Sequence, residues 1–265
     1  MRICICISVL ACCLSSARSQ DLLRGRVLDS ADRSASVLPV ADAAGNADTL
    51  LFSCVGYAPR KIPVSEIDFS RKFSFALKRN DSPIPETVVR TSRSRRMKIG
   101  RSKIGTDLLS AATVCFSSPE PLGEECGMLL SSRYDCTVNR LSFFVRKNGF
   151  ESASFRLTFY SAENGLPKDI LGDKDIRFDL PDGYTGWVDL DLSECPVHVK
   201  AGDFAVTMTF LDGKQGESAF RGLEFPITVA PLSKYTLVSR DRALGAWSKE
   251  GTVITLFTEV TAYPD

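Results

Sequence analysis

Apolar residues in the second half of the chain recur at every second position, and this alternation limits what the chain can fold into. Phe155-Arg-Leu-Thr-Phe159 alternates apolar with polar, and Phe204-Ala-Val-Thr-Met-Thr-Phe210 carries the pattern further. Trp187-Val-Asp-Leu-Asp-Leu192 sets Val188, Leu190 and Leu192 on one face and Trp187, Asp189 and Asp191 on the other. Residues 137–145 and 252–263 add β-branched and aromatic runs. Successive side chains of a strand point to opposite faces, so such segments belong to half-solvated antiparallel sheets. Asn148-Gly149, Asn164-Gly165, Asp182-Gly183, Gly202-Asp203 and Asp212-Gly213 supply turn residues between them. No segment sustains the i, i+3, i+4, i+7 stripe of a helix; residues 22–36 and 64–69 carry a turn at most. The chain is therefore expected to be all-β. About eight or nine strands fit between residues 105 and 265, enough for one antiparallel β-sandwich or jelly roll.

With 265 residues the chain has room for one large domain or two modest ones. Apolar residues at 44% and charged residues at 25% are ordinary for a globular protein. A net charge of +1 supplies no global field that would attract nucleic acid. Histidine occurs once, so any His-dependent mechanism must run through His198.

The first residues read as a targeting segment. Arg2 gives a short positive start, residues 3–14 form an apolar core, and Ala17-Arg-Ser19 offers small residues at a cleavage site before Gln20. Residues 1–19 are thus expected to be a signal peptide, too short to span a membrane. A rival reading takes Val9-Leu-Ala-Cys12 as a lipoprotein processing site, with the mature protein anchored through lipidated Cys12. Cleavage before Gln20 leaves Cys54, Cys115, Cys126, Cys136 and Cys195, an odd set in an export compartment that permits disulfides. Cys126 and Cys136 flank a loop-like stretch and are the expected pair. No C-x-x-C spacing occurs, which argues against a zinc site.

Residues 90–103, Arg-Thr-Ser-Arg-Ser-Arg-Arg-Met-Lys-Ile-Gly-Arg-Ser-Lys, hold seven basic residues and no acid. This composition predicts a solvated linker over residues 90–104, exposed to proteolysis. No aromatic residue interleaves to stack on bases, so nucleic acid is not expected. Membrane contact is expected only through this segment or through a lipid on Cys12.

Residues 24–89 resemble a known module. Gly25-Arg-Val-Leu-Asp29 reads as a first strand, and Asp48-Thr-Leu-Leu-Phe-Ser-Cys-Val-Gly-Tyr57 as an apolar strand ending in a Gly-Tyr turn. Ile62-Pro-Val-Ser-Glu66, the strand Phe73-Ser-Phe-Ala-Leu77 and the closing Pro85-Glu-Thr-Val-Val89 come next. Together they look like the carboxypeptidase-regulatory-like domain of Bacteroidota envelope proteins. The resemblance implies a small transthyretin- or immunoglobulin-like sandwich over residues 20–89, an accessory role and no peptidase activity. The family places about two further strands before the Asp-Thr-Leu-Leu-Phe segment. Only residues 30–47 fill that space here, so the module is either truncated or expected to pair with the second domain to complete its sheet. Residues 105–265 loosely resemble the β-rich regions found after the module, through Asn164-Gly-Leu-Pro167, Trp187-Val-Asp-Leu-Asp-Leu192 and Val199-Lys-Ala-Gly-Asp-Phe204. That likeness carries no assigned activity.

No nucleophile elbow, zinc-binding His pair or phosphate loop is present, and no catalytic residue, cofactor or metal is expected. His198, between Val197 and Val199, reads as a strand-end residue. Asp189 and Asp191 share one strand face, whereas a glycosidase pair flanks its bond from two sides. A calcium site would have to draw on Asp189, Asp191 or Asp203. Trp187, Trp247, Tyr184 and Tyr235 are the candidates for a ligand-stacking surface, against the alternative that they pack at the rim of the core. The function expected is a non-enzymatic, exported envelope protein that binds a glycan or an outer-membrane partner. The alternative is a secreted hydrolase of polysaccharide or peptide.

Overall fold

The alternation becomes strand register in a computed structural model that describes residues 6–7, 23–27, 36–40, 49–53, 60–66, 73–75, 94–104, 111–229 and 235–264. Apart from one 3-10 turn, Val64–Glu66, the regular structure of these residues is strand throughout. The protein is all-β. It divides into two units, Met1–Ser82 and Pro83–Asp265.

Among the described residues, the first unit holds two small sheets. In one, β1 (Cys6–Ile7) pairs antiparallel with β2 (Leu23–Val27), which pairs parallel with β6 (Phe73–Phe75). Cleavage before Gln20 would remove β1 and leave β2 on β6. In the other, β3 (Ser36–Val40), β4 (Thr49–Ser53) and β5 (Arg60–Pro63) run antiparallel, with Leu50 and Phe52 buried. β4 is the apolar core of the Asp48–Tyr57 segment, and β3 occupies the stretch between it and the opening strand. Cys12, residues 17–20, Cys54 and residues 85–93 lie outside the described residues.

The second unit is a sandwich. Its strands are β7 (Arg95–Gly100), β8 (Ala112–Cys115), β9 (Glu125–Ser132), β10 (Asp135–Val145), β11 (Lys147–Asn148), β12 (Phe150–Glu163) and β13 (Leu166–Leu180). They continue with β14 (Gly186–Asp191), β15 (Val197–Val199), β16 (Gly202–Gln215), β17 (Leu223–Val229), β18 (Thr236–Arg240), β19 (Ser248–Glu250), β20 (Thr252–Ile254) and β21 (Leu256–Tyr263). A five-stranded sheet runs β14-β10-β21-β7, with β15 also on β10. A six-stranded sheet runs β13-β12-β16-β9-β18-β19. A smaller set joins β8, β11 and β20 to β17. Val138, Leu141, Phe143, Leu256 and Val260 of the five-stranded sheet share one core with Met128, Leu130, Leu157, Val206 and Met208 of the six-stranded sheet. Phenylalanines bridge the layers: Phe143 meets Phe178 at 5.7 Å between centroids, and Phe178 stacks on Phe155 at 5.3 Å.

Several expectations are corrected by this arrangement. The basic stretch is not wholly a linker, because residues 95–100 form β7 and pair with β21. Met97 and Ile99 alternate with Arg96 and Lys98, and packing those two apolar side chains on the core seats the strand despite its charge. Asp212-Gly213 is not a turn but lies inside β16, beside a register shift against β12. A Cβ on Gly213 would come within 2.5 Å of the Ser152 carbonyl, so glycine serves a bulge and a close strand approach. The 252–263 run is two strands. At Thr255, whose N–H donates to the Pro226 carbonyl at 3.0 Å, the chain passes from the β17 set into the five-stranded sheet.

The expected Cys126–Cys136 disulfide is also overturned. Cys126 bonds Cys115, 11 residues away, with Cα atoms 6.5 Å apart. Cys126 sits on β9 and Cys136 on β10, which belong to different sheets, and Cys136 is a buried free thiol.

Candidate functional site

The outer face of the five-stranded sheet brings together Trp187, Asp189, Asp191 and His198 of the residues the sequence singled out. β14, β10 and β21 lie side by side, so residues of equal register form rungs across the face. Trp187 stands opposite Phe144, Asp189 opposite Ser142, and Asp191 opposite Arg140. Ser142 and Arg140 in turn face Phe257 and Glu259 on β21, which face Gly100 and Lys98 on β7. Backbone register alone therefore builds an aromatic end and a charged rung beside it.

At the aromatic end, Trp187 is partly buried and meets two phenylalanines nearly at right angles. Phe144 lies at 5.5 Å and 78°, and Phe257 at 5.7 Å and 70°. The Lys98 ammonium sits 4.5 Å over the Phe257 ring. Tyr184 donates its hydroxyl to the Trp187 carbonyl at 2.5 Å and packs its ring on the core. The two edge-on phenylalanines brace the indole, and Tyr184 holds the backbone that carries it.

The charged rung neutralises itself. Lys98 pairs with Glu259 at 3.2 Å. Asp191 accepts the Ser193 N–H at 2.9 Å. That bond, the Ser193 side chain and the Arg140 charge hold the Asp191 carboxyl below the usual carboxylate range. Asp189 accepts from the buried Ser142 hydroxyl at 2.5 Å. Further along the face, Thr137 Oγ1 is 2.9 Å from His198 Nδ1 and 3.0 Å from the Tyr263 hydroxyl. The face thus presents a braced aromatic edge beside paired charges, while its hydroxyls, Ser142 and Thr137, are buried and already hydrogen-bonded.

The four aromatic candidates do not form one surface. Trp187 alone of them stands on this face, while the Tyr184 and Tyr235 rings pack on the core and Tyr184 reaches Trp187 only through its backbone carbonyl. Trp247 lies on the outer side of the other sheet, with Leu129, Tyr160, Ala205 and Val238. There the Arg240 guanidinium stacks 4.3 Å from the Trp247 ring. Arg240 Nε donates to Glu125 at 2.8 Å, and the Tyr160 hydroxyl donates to the other Glu125 oxygen at 3.0 Å. Thr207 donates to the same carboxylate. Burial, followed by the Glu125 charge, pushes the Tyr160 hydroxyl far above its ordinary value. Every partner there is already engaged, and the cluster is a structural clamp.

Asp189 and Asp191 point from one exposed strand face and each has its own hydrogen-bond donor. Asp203 is on β16 of the other sheet, so the three aspartates do not converge. Among the described residues no three His, Cys, Asp or Glu side chains gather around a metal position.

Phe144, Phe257, Arg140, Glu259 and Lys98 are not singled out by the sequence alone. One signal exists for Phe144 and Phe257. Each directly succeeds a core residue, Phe143 or Leu256, and so stands where alternation calls for a polar side chain. No protein-family model matches the chain, and neither a curated protein nor a solved structure matches it.

Proposed function

We propose that this is a non-catalytic, exported envelope protein whose second unit binds a glycan through the outer face of the five-stranded sheet. The arrangement that carries this reading is Trp187 braced by Phe144 and Phe257 beside the rung Asp191, Arg140, Glu259 and Lys98. A fixed aromatic ring stacks on the apolar face of a sugar, and exposed charged side chains such as Asp191 and Arg140 exchange hydrogen bonds with its rim. The signal-type start of the chain and the resemblance of residues 24–89 to the carboxypeptidase-regulatory-like module support export and an accessory role. Immobilised glycans probed with the full chain test the proposal. Binding is expected, and Trp187→Ala is expected to weaken it by about 2 kcal/mol, roughly thirtyfold. Failure to bind any glycan would move the assignment to an outer-membrane protein partner, sought by crosslinking.

A further inference from the structure

Among the described residues, the basic segment forms an edge of the second unit. β7 is the last strand of the five-stranded sheet and bonds only to β21 among the described strands. Arg95, Arg96, Lys98, Lys103 and Ile104 are exposed along it and just beyond it. Lys98 has Glu259 as its counter-ion at 3.2 Å. Arg95, Arg96 and Lys103 have no acidic partner among the described residues. Arg96 faces Thr261 and Arg95 faces Ala262 across the ladder, so the register supplies no acid to either.

A cation on an edge strand can simply discourage another strand from pairing. Lys98 meets that purpose, but it does not account for the residues past the end of β7. Ile104, 43% exposed, stands directly after Lys103, and an exposed isoleucine beside a sheet edge invites association. Cations without an acidic partner among the described residues, next to an exposed apolar side chain, suit the boundary between lipid headgroups and acyl chains. Arg95 and Arg96 leave the strand toward opposite faces of the sheet. A ligand on either face would meet one of them, whereas a plane laid against the edge meets both. Long arginine and lysine stems can reach such a plane from both sides.

We infer that the β7 edge, with Arg95, Arg96, Lys103 and Ile104, docks the protein on a membrane surface rich in anionic lipid phosphates. The attraction is electrostatic, so it weakens as salt is raised. Each cation removed is expected to reduce binding about fivefold, and all three together on the order of a hundredfold.

The test is co-sedimentation of the full chain with vesicles of mixed phosphatidylcholine and phosphatidylglycerol, and with vesicles of phosphatidylcholine alone. Expected results are binding to the mixed vesicles only, release by salt, and loss in Arg95→Ala/Arg96→Ala/Lys103→Ala. Ile104→Ser, which keeps every charge, should weaken binding less, and Arg96→Lys should retain it. Thermal melts check that the variants fold; if the triple variant does not, the salt titration and the two vesicle types still decide. Equal binding to both vesicle types, or none to either, overturns the inference. Competition by inorganic phosphate as effective as that by vesicles would indicate a free-phosphate site instead. Capture by an acidic peptide without capture by vesicles would indicate strand addition and overturn the lipid assignment.

Discussion

Glu125 is 2% exposed, and its charge is held in place by Arg240, Tyr160 and Thr207 beneath the Trp247 ring. A buried ion pair adds little net stability, but removing one partner strands the other charge in the interior. Arg240→Ala should therefore cost about 3–5 kcal/mol, measured as a shift in the urea midpoint. Adding Glu125→Leu should recover much of that loss; no recovery would mean Arg240 acts through Trp247 instead. Glu224 makes a comparable pair with Arg146 and Lys147. Burial pushes its carboxyl up, yet the Arg146 and Lys147 hydrogen bonds outweigh burial, and the net shift is downward. Its folded pKa thus lies below its unfolded one. The stability it contributes is present above the ordinary glutamate range of about 4.3 and is lost as pH falls through the folded value. Glu224→Gln should lower the melting temperature at neutral pH and flatten its fall on acidification. Glu124, pushed up by burial, acts in the opposite sense, so an unchanged pH profile in the Glu224 variant would assign the acid limb elsewhere.

Long alternating strands are legible at the level of elements. The half-solvated faces expected for them are not found in β12 and β16, where Arg156, Thr158, Thr207 and Thr209 are buried as well, on the side covered by Tyr160 and Trp247. β10, β12, β14 and β16 all contain the segments that alternation marks. Short strands leave no such trace: β8, β11, β15 and β19 span four residues or fewer, too few to show a period. β7 is hidden by composition, since two apolar side chains, Met97 and Ile99, outweigh its basic neighbours once the core is present. Glycine misleads in the same manner, because Asp212-Gly213 marks a close strand approach rather than a turn. Gly213→Ala forces a Cβ against the Ser152 backbone and should cost about 1–3 kcal/mol in thermal unfolding. Gly165, at the tip of the β12–β13 hairpin, would meet only the flexible end of Lys249, but its φ of +74 makes alanine strained there too. The disulfide belongs to this scale as well. Cys115 ties the end of β8 to β9, and Cys115→Ser/Cys126→Ser should lose about 2–4 kcal/mol. Peptide mapping without reduction should find Cys115 linked to Cys126 and Cys136 as a thiol.

For the whole molecule, alternation places Trp187, Asp189 and Asp191 on one face but does not say which strands flank them. That knowledge needs sheet order, which joins β14 to β10 and β10 to β21 from distant parts of the chain. Trp247 carries the same composition signal as Trp187, yet it lies on the outer side of the opposite sheet, clamped over Arg240. The two tryptophans therefore serve as probe and internal control, since these are the chain's 2 indoles. One measurement separates the roles: intrinsic fluorescence of the full chain and of its Trp247→Phe and Trp187→Phe variants during titration with a bound glycan. A ligand-dependent change that survives Trp247→Phe and disappears in Trp187→Phe is expected, with binding weakened in the latter. A change that persists in Trp187→Phe, with affinity intact, would contradict a ligand face on the five-stranded sheet.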